Sequence, residues 1–274
     1  MHHPVSAVII CKNEEKNIAR CIQSLKLVSQ DIVVIDSGSK DKTVEEAKRA
    51  GARVFIHKWQ GYSKQKNLGN KYALHDFILS LDADEELSPF LANNIKREMI
   101  CPKFDAYEFE FSARFGDKII RHGGWHCERH TRLFRKSKTR WNDSLVHEKL
   151  VVDRLAIKHI PGYVYHYTAP TREYYREKMN RYAKEFAQDK WRLNKKTSPL
   201  KKYLSSSFRF IKEYFVQLGF LDGKAGLIIA IEEARYTYLK YKFSEKKPVE
   251  TIPETVRGAS WQINPLKKKI ILKD

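Results

Sequence analysis

The stretch Phe77-Ile-Leu-Ser-Leu-Asp-Ala-Asp-Glu85 decides the fold, because a buried strand ends inside it and carboxylates follow at once. Its first five residues form the short apolar run that is typical of a strand covered on both faces. Asp82 and Asp84 come directly after this run, and unpaired charge beside a buried strand is costly. Mg²⁺ and Mn²⁺ prefer carboxylate oxygens and often share them with substrate phosphates. The stretch therefore indicates a nucleotide diphosphate held through a divalent cation.

The same acidic residues have a second interpretation, as the approach to a helix. Ser88 and Pro89 suit the N-cap and the first position of a helix. Acidic side chains ahead of a helix are stabilised by its dipole, with no metal involved. The pattern D-x-D does not separate these two interpretations, so the choice depends on the rest of the chain.

Apolar strands alternate with helices in the first part of the chain. We predict strands at 5–11, 31–36, 52–57 and 77–81, and helices at 17–27, 41–51 and 63–74. This order specifies an α/β fold with a doubly wound, mostly parallel sheet, which binds ligands at the carboxyl ends of its strands. Polar residues follow three of the strands, at Lys12-Asn13-Glu14, at Asp36-Ser37-Gly38-Ser39 and at Asp82 and Asp84. We expect them to converge on one site.

The pattern changes after residue 100. Residues 106–113 alternate as a half-exposed strand does, and we predict shorter strands at 131–134 and 151–152. From Thr171 onward, aromatic and aliphatic residues recur at helical spacing. We therefore divide the chain into a catalytic domain at 1–170, an amphipathic helical extension at 171–243 that packs on it, and a basic tail at 244–274.

The charge is strongly positive and unevenly distributed. The formal net charge is +19, and residues 171–274 contain 24 Lys and Arg against 12 Asp and Glu. Such a surface attracts nucleic acid, anionic lipid or a phosphorylated substrate, and charge alone does not choose among them. The four cysteines form no C-x-x-C pair, which favours reduced thiols and a cytoplasmic protein.

Several motifs together resemble the family 2 glycosyltransferases, which have a GT-A fold. They are Cys11-Lys-Asn-Glu14, Asp36-Ser-Gly-Ser-Lys-Asp-Lys-Thr43, Gln65-Lys66-Asn67 and Leu81-Asp-Ala-Asp-Glu-Glu86. Four more resemble the branch that adds sugars to the lipopolysaccharide inner core, of the β-1,4-glucosyltransferase type. These are Gly123-Gly-Trp125, Arg132-Leu-Phe134, Val146-His-Glu148 and Gly219-Phe-Leu-Asp-Gly223. The likeness covers roughly residues 4–243.

The resemblance implies a role for each matched residue. Asp36 is expected to recognise the uracil or ribose of the donor, and Lys66 its diphosphate. Asp82 is expected to touch the ribose and the Mg²⁺ or Mn²⁺ ion, which Asp84 ligates. Glu148 is implied as the base that deprotonates the acceptor hydroxyl, which gives inversion. The remaining implied residues are Cys11, Asn13 and Glu14 for the donor, and Trp125, His126, Arg132 and His147 for the acceptor.

Each of these residues also has a structural interpretation. Asp36 suits an Asx turn, Lys66 a solvated helix position, and Glu148 a surface ion pair with Arg132 or Lys149. If Glu148 is not the base, Asp143 is the next candidate. Trp125 suits a half-buried core position as well as a sugar platform. The cluster His122, His126, Cys127 and His130 offers zinc-like ligands, but its spacing matches no common zinc pattern and favours polar contacts with a sugar.

These observations predict an inverting, metal-dependent enzyme that moves a hexose from a UDP-sugar to a lipopolysaccharide core or similar glycolipid. One alternative is transfer to a polyprenyl phosphate. A second alternative, a basic nucleic-acid-binding module, gives Asp82 and Asp84 no role, so no nucleic-acid partner is expected. We expect the protein to be cytoplasmic and peripheral on the inner face of the cell membrane. The basic faces of its C-terminal helices would meet anionic lipid, and their apolar faces would pack on the catalytic domain.

Overall fold

A computed structural model describes residues 3–125, 128–142, 148–192, 198 and 200–245. The strands in these residues are β1 (Val5–Cys11), β2 (Asp31–Asp36), β3 (Arg53–Ile56), β4 (Phe77–Asp82), β5 (Glu85–Leu87), β6 (Ala106–Phe115), β7 (Lys118–Ile119), β8 (Glu128–Arg135) and β9 (Ile157–Ala169). The α-helices are α1 (Ile18–Leu25), α2 (Thr43–Arg49), α3 (Tyr62–Tyr72), α4 (Pro89–Glu98), α5 (Arg172–Arg192), α6 (Lys201–Ile211) and α7 (Gly223–Ser244). The predicted α/β class is confirmed.

The described strands form one sheet in the order β3-β2-β1-β4-β8-β6-β9-β5, with β7 paired to β6. The first four strands are parallel, as predicted, and β8 then runs antiparallel to β4. Ile10 pairs with Asp82, and Cys11 pairs with Asp36. The polar segments that follow β1, β2 and β4 therefore meet at one edge of the sheet.

Helices cover both faces of the parallel half of the sheet. Alternate residues of β1 enter two separate cores. Ala7 and Ile9 join the core that contains α1, α2 and α4, whereas Val8 and Ile10 join the core beside α3. α3 lies so close to β1 that a Cβ on Gly69 would stand 2.3 Å from the Val8 side chain. This three-layer packing holds the carboxyl edge of the sheet rigidly in place.

The helix start predicted at Ser88 and Pro89 is confirmed. The Ser88 hydroxyl accepts a hydrogen bond from the Leu91 N–H at 3.2 Å, with Pro89 at the first helical position of α4. The Asp41 carboxylate accepts one from the Thr43 N–H at 3.1 Å at the start of α2. The Ser88 contact is an ordinary helix cap, whereas the Asp41 contact lies one residue ahead of the N-cap of α2, Lys42.

Several strands differ from the sequence prediction, including the short β7, which was not predicted. Residues 151–152 form no strand; only an isolated bridge joins Trp141 to Leu150. β5 was not predicted, because its three residues lie inside the acidic run. β9 was also not predicted, since Pro161-Gly162 resembles a turn. Gly162 has φ +125, and a Cβ there would lie 2.7 Å from the Leu91 side chain, so the dipeptide lets the strand pass α4.

The C-terminal helices pack mainly on one another. α7 contacts both α5 and α6, and α6 contains no buried residue. The packing of this extension on the catalytic domain stays a prediction. A wide π-helical turn (Lys212–Val216) and a short 3-10 turn (Gly219–Asp222) connect α6 to α7. No single helix in the described part of the chain is long and apolar enough to span a membrane, whereas Lys201–Val216 and Gly219–Ser244, bent by 69°, together have the length and composition for it.

Candidate active site

The centre of the site is an ion cluster around the buried Lys66 ammonium. Lys66 is 0% exposed, and its Nζ lies 3.0 Å from Asp82 Oδ1 and 3.4 Å from Glu148 Oε1. The Trp141 ring lies on another side of the ammonium, at 4.6 Å from Nζ. One cation thus holds together the two carboxylates that the sequence predicts for opposite sides of the reaction. Glu148 pairs here with Lys66, and not with Arg132 or Lys149 as the structural interpretation expected.

Arg132 supplies a second cation on the other side of Asp82. Its Nη2 lies 3.4 Å from Asp82 Oδ2 and donates a hydrogen bond to Glu85 Oε1 at 3.1 Å. Burial opposes ionisation of Asp82, but Lys66 and Arg132 outweigh it, so the pKa of Asp82 lies well below its usual value. Burial raises the pKa of Glu85 to about 7, although Arg132 acts in the opposite direction. Asp82 is therefore the more acidic member of this pair.

Asp84 is held by a histidine that the sequence did not single out. His166 Nε2, from β9, lies 3.2 Å from Asp84 Oδ2. Burial lowers the pKa of His166, but the hydrogen bond and charge of Asp84 outweigh it and raise the pKa overall. The backbone of Tyr167 also donates to the Asp84 carbonyl at 2.9 Å. β9 therefore orients the second aspartate of the D-x-D motif.

The oxygen atoms of this edge suit a divalent cation. Asp82 Oδ1 is buried and accepts no well-formed hydrogen bond among the described residues, although Lys66 Nζ is close to it. No three His, Cys, Asp or Glu side chains in the described ranges are arranged to hold a metal by themselves. Two carboxylates that are completed by phosphate oxygens and water are nevertheless a common arrangement for Mg²⁺. Asp82 and Asp84 fit such a shared site.

The predicted donor-side loops are tied to each other by hydrogen bonds. The Asn13 N–H donates to Ser39 Oγ at 2.8 Å, and Asn13 Oδ1 accepts from the Lys40 N–H at 2.9 Å. The Glu14 N–H donates to Thr43 Oγ1 at 2.7 Å. Asn13 has φ 57, a left-handed conformation that asparagine tolerates well. The loop after β1 is thereby fixed against the loop after β2.

Asp36 lies at the bottom of these loops. Its Oδ1 accepts hydrogen bonds from the Gly38 and Ser39 N–H groups at 2.9 Å each, and its Oδ2 accepts from the Ser39 hydroxyl. These are the contacts of the Asx-turn interpretation, and its role toward the donor stays a prediction. Burial and then Asp36 itself raise the pKa of the neighbouring Cys11 thiol, so Cys11 is a neutral, buried group.

A cavity of 270 Å³ opens beside the ion cluster on the predicted acceptor side. It is lined by Asp82, Arg132, His166 and Trp125, among others. Trp125 is half-buried and packs edge-to-face on Tyr175, with ring centroids 5.0 Å apart. One side of its ring thus belongs to a core, and another faces the cavity. The predicted acceptor residues His126 and His147 lie outside the described residues.

The wall of this cavity is attached to the C-terminal helices through two buried carboxylates. Glu213, in the π-helical turn, accepts a hydrogen bond from the Gly124 N–H at 2.5 Å. Asp222 accepts from the His122 N–H at 2.8 Å and from the Arg121 N–H at 3.2 Å. Glu213 thus holds the Gly123-Gly-Trp125 motif directly, and Asp222 of the late Gly219-Phe-Leu-Asp-Gly223 motif holds the two residues before it. Sequence reasoning identified both motifs but did not connect them.

The described members of the His and Cys cluster have separate partners. His122 Nδ1 lies 3.4 Å from Asp222, and His130 Nε2 lies 3.2 Å from Glu128. His126 and Cys127 are outside the described residues. The two described histidines therefore pair with carboxylates on separate elements, and a zinc role for the cluster stays untested.

Comparison with known proteins identifies the family. The sequence profile of glycosyl transferase family 2 matches residues 6–148. An uncharacterised glycosyltransferase of Rickettsia prowazekii is 32% identical over 248 residues, which are 86% of this chain and 85% of the relative. The lipopolysaccharide core biosynthesis glycosyltransferase LpsC of Rhizobium meliloti is 28% identical over 246 residues, 86% of this chain and 90% of LpsC.

Among solved structures, glucosyl-3-phosphoglycerate synthase from Mycobacterium tuberculosis, in complex with Mn²⁺, UDP and glucosyl-3-phosphoglycerate, aligns with a TM-score of 0.34. The alignment has 21% identity and covers 41% of this chain and 44% of that one. The family itself is established by the profile match and by the long Rickettsia alignment. This chain belongs to glycosyl transferase family 2, and it is a glycosyltransferase.

Proposed function

We propose that the protein is an inverting, metal-dependent glycosyltransferase that moves a hexose from a UDP-sugar to a lipopolysaccharide core or similar glycolipid. Glucose is the hexose that we propose. The observation that carries this proposal is the ion cluster, in which Lys66 holds Asp82 and Glu148 within reach of one ammonium. A sugar nucleotide at Asp82 would therefore have a carboxylate base nearby. The similarity to LpsC supports the acceptor class.

In the proposed reaction, the acceptor hydroxyl loses its proton to Glu148 while its oxygen bonds to the anomeric carbon of the donor. The bond from that carbon to the diphosphate oxygen breaks, and the nucleoside diphosphate leaves with the electron pair. Attack from the face opposite the leaving group gives inversion. Asp82 and Asp84 would hold a divalent ion, which neutralises charge on the leaving diphosphate.

The other polar groups of the site orient these partners. Lys66 would attract the diphosphate and keep the two carboxylates close to each other. Arg132 lines the cavity with its positively charged side chain, which also holds Asp82 and Glu85. An anionic or hydroxyl-rich acceptor in the cavity would be attracted by this guanidinium. Trp125 would offer its ring face to a sugar.

The location of the enzyme is part of the same proposal. A glycolipid acceptor lies in a membrane, and the chain carries a net charge of +19. We infer a cytoplasmic enzyme that is held on the inner face of the cell membrane by its basic C-terminal region, since each Lys or Arg near an anionic surface adds about 1 kcal/mol of attraction.

Donor binding is the most accessible test of the proposal. Unfolding temperatures are measured with a panel of nucleotide sugars, each with Mg²⁺, with Mn²⁺ and with chelator. A ligand at about 100 times its Kd stabilises the folded state by about 2.7 kcal/mol. We expect a UDP-sugar to raise the unfolding temperature only when metal is present. Stabilisation that is equal with chelator would contradict the metal-bridged site.

Asp84→Ala is the matching variant. It should abolish the metal-dependent shift and leave the unfolding temperature of the free protein nearly unchanged, because Asp84 adds little to the core. Asp76→Ala is the matched control, since Asp76 lies at the opposite end of the same strand and is solvent-accessible. Its metal-dependent shift should equal that of the wild type. If Asp84→Ala keeps the full shift, the aspartate does not hold the ion.

A further inference from the structure

α6 presents a continuous apolar stripe to solvent. The stripe recurs at spacings of four, four, three and four residues, so its members share one helix face: Leu200, Leu204, Phe208, Ile211 and Phe215. All are exposed, and Phe208 is 65% exposed. Val216 extends the stripe at the end of the π-helical turn. These six residues form the apolar ledge. Exposed apolar patches of this extent mark interaction sites.

The other side of α6 is already occupied by α7. The Tyr203 and Tyr238 rings lie 5.7 Å apart, and Lys202 forms an ion pair with Glu245 at 2.8 Å. An open groove of 460 Å³ between the two helices is bordered by Ile211 and by Ile231 of α7. The apolar ledge thus continues across the groove and has no covering element among the described residues.

Within residues 200–224, which contain the apolar ledge, the exposed charges are positive. The acidic residues between 200 and 224 are Glu213 and Asp222, and both are buried. Lys201, Lys212 and Lys224 are exposed in the same segment. An apolar stripe with lysines along its edge is typical of helices that lie in the interface of an anionic bilayer.

The apolar ledge and the active-site cavity share one turn of the chain. Lys212, Phe215 and Val216 face solvent, whereas Glu213 points inward and binds the Gly124 N–H on the cavity wall. A bilayer that contacts the outer side of this turn would therefore lie beside the cavity. This arrangement suits an acceptor whose sugars extend from a lipid.

We propose that the apolar ledge inserts into an anionic bilayer, with its lysines at the level of the lipid phosphates. The proposal adds burial of apolar side chains in the bilayer to the attraction by net charge. It rests on the proposed function only in assuming that the acceptor is a lipid. Charge disfavours two other possible occupants of the ledge, which are a second copy of this chain and its own residues 246–274. A second copy would bring two positive rims together, and residues 246–274 contain seven Lys and Arg against three Asp and Glu.

Co-sedimentation with vesicles tests the inserted surface. The vesicles contain phosphatidylcholine alone or with about one-third phosphatidylglycerol, at salt concentrations of about 50 and about 500 mM, since salt screens charge but not burial of apolar area. We expect the full-length protein to bind the anionic vesicles and to retain part of that binding at high salt. Phe208→Ala with Phe215→Ala should lower the partition coefficient at least about tenfold, from the apolar area lost.

Phe90 provides the matched control, because it is 64% exposed and lies on α4, away from the ledge. Phe90→Ala should bind vesicles as the wild type does. If the Phe208 and Phe215 double variant binds vesicles as strongly as the wild type does, the proposal is overturned. This holds even if residues 246–274 cover the ledge. If the wild type is a dimer without lipid and the double variant is a monomer, the ledge binds a second copy of the chain and the proposal is overturned.

Donor binding separates this proposal from the proposed function. The double variant should keep the metal-dependent thermal shift with the UDP-sugar, since both phenylalanines face away from the ion cluster. If the wild type shows no metal-dependent shift, but the double variant binds vesicles less well than the wild type does, the proposed function fails and the membrane role of the ledge is supported. If the wild type shows the shift and the double variant binds vesicles as the wild type does, the membrane role of the ledge fails and the proposed function is supported.

Discussion

Replacing Gly124 with alanine tests whether the C-terminal helices hold the acceptor side of the cavity. A Cβ at this position would lie 2.6 Å from Oε2 and 3.0 Å from Oε1 of Glu213. Ordinary van der Waals contact begins at 3.4 Å, so the carboxylate has to move by several tenths of an ångström. Glu213 is 1% exposed and has little room to move without losing its hydrogen bond to residue 124.

The expected cost follows from these contacts. Overpacking of a buried site costs about 1–3 kcal/mol, and a weakened hydrogen bond to a charged group adds to it. We expect Gly124→Ala to lower the free energy of unfolding by about 2–4 kcal/mol. The displaced wall should also raise the KM for the acceptor about tenfold, with donor binding unchanged.

Urea unfolding and acceptor kinetics measure the two effects, and a second substitution identifies their cause. Glu213→Ala removes the clashing carboxylate, so the double variant should be less destabilised than the sum of the two single variants by at least about 1 kcal/mol. Strict additivity would refute the contact on which this reasoning depends. An unchanged acceptor KM in a folded Gly124→Ala protein would refute the positioning role.

Two further predictions concern buried charges. Lys66→Met leaves the Asp82 and Glu148 carboxylates without their shared cation, so it should lower the free energy of unfolding by about 3–5 kcal/mol in urea titrations; a loss under about 1 kcal/mol would contradict the ion cluster. Burial raises the pKa of Glu213 above 4.5, so the folded state binds more protons and stability should fall as pH rises above that value. Glu213→Gln should flatten this fall in unfolding experiments between pH 4.5 and 8, and an unchanged slope would contradict the raised pKa.

The parallel half of the fold was predictable from sequence because each element carries a strong local signal. β1, β2 and β4 are apolar runs with polar residues at their carboxyl ends, and alternating strands and helices have few alternative arrangements. The convergence of Asp36 and Asp82 at one edge followed from this order. Individual roles for these residues stay predictions.

The remainder of the site depends on contacts between residues that are far apart in sequence. His166 reaches Asp84 across 82 residues, and Glu213 reaches Gly124 across 89. A single histidine in a strand, or a single glutamate in a helix, has no periodic signal. The stripe on α6 was visible as an amphipathic pattern, but a pattern does not tell which partner covers an apolar face.

The central claim is that Glu148 accepts the proton of the acceptor hydroxyl, and Glu148→Gln tests it most directly. The amide keeps the size of the side chain but cannot accept that proton. The measurement compares sugar transfer from the UDP-sugar to a lipopolysaccharide-core acceptor with metal-dependent donor binding in the same protein preparation. We predict donor binding as in the wild type and transfer reduced by about two to four decades. Transfer by Glu148→Gln at a rate near that of the wild type would contradict the account.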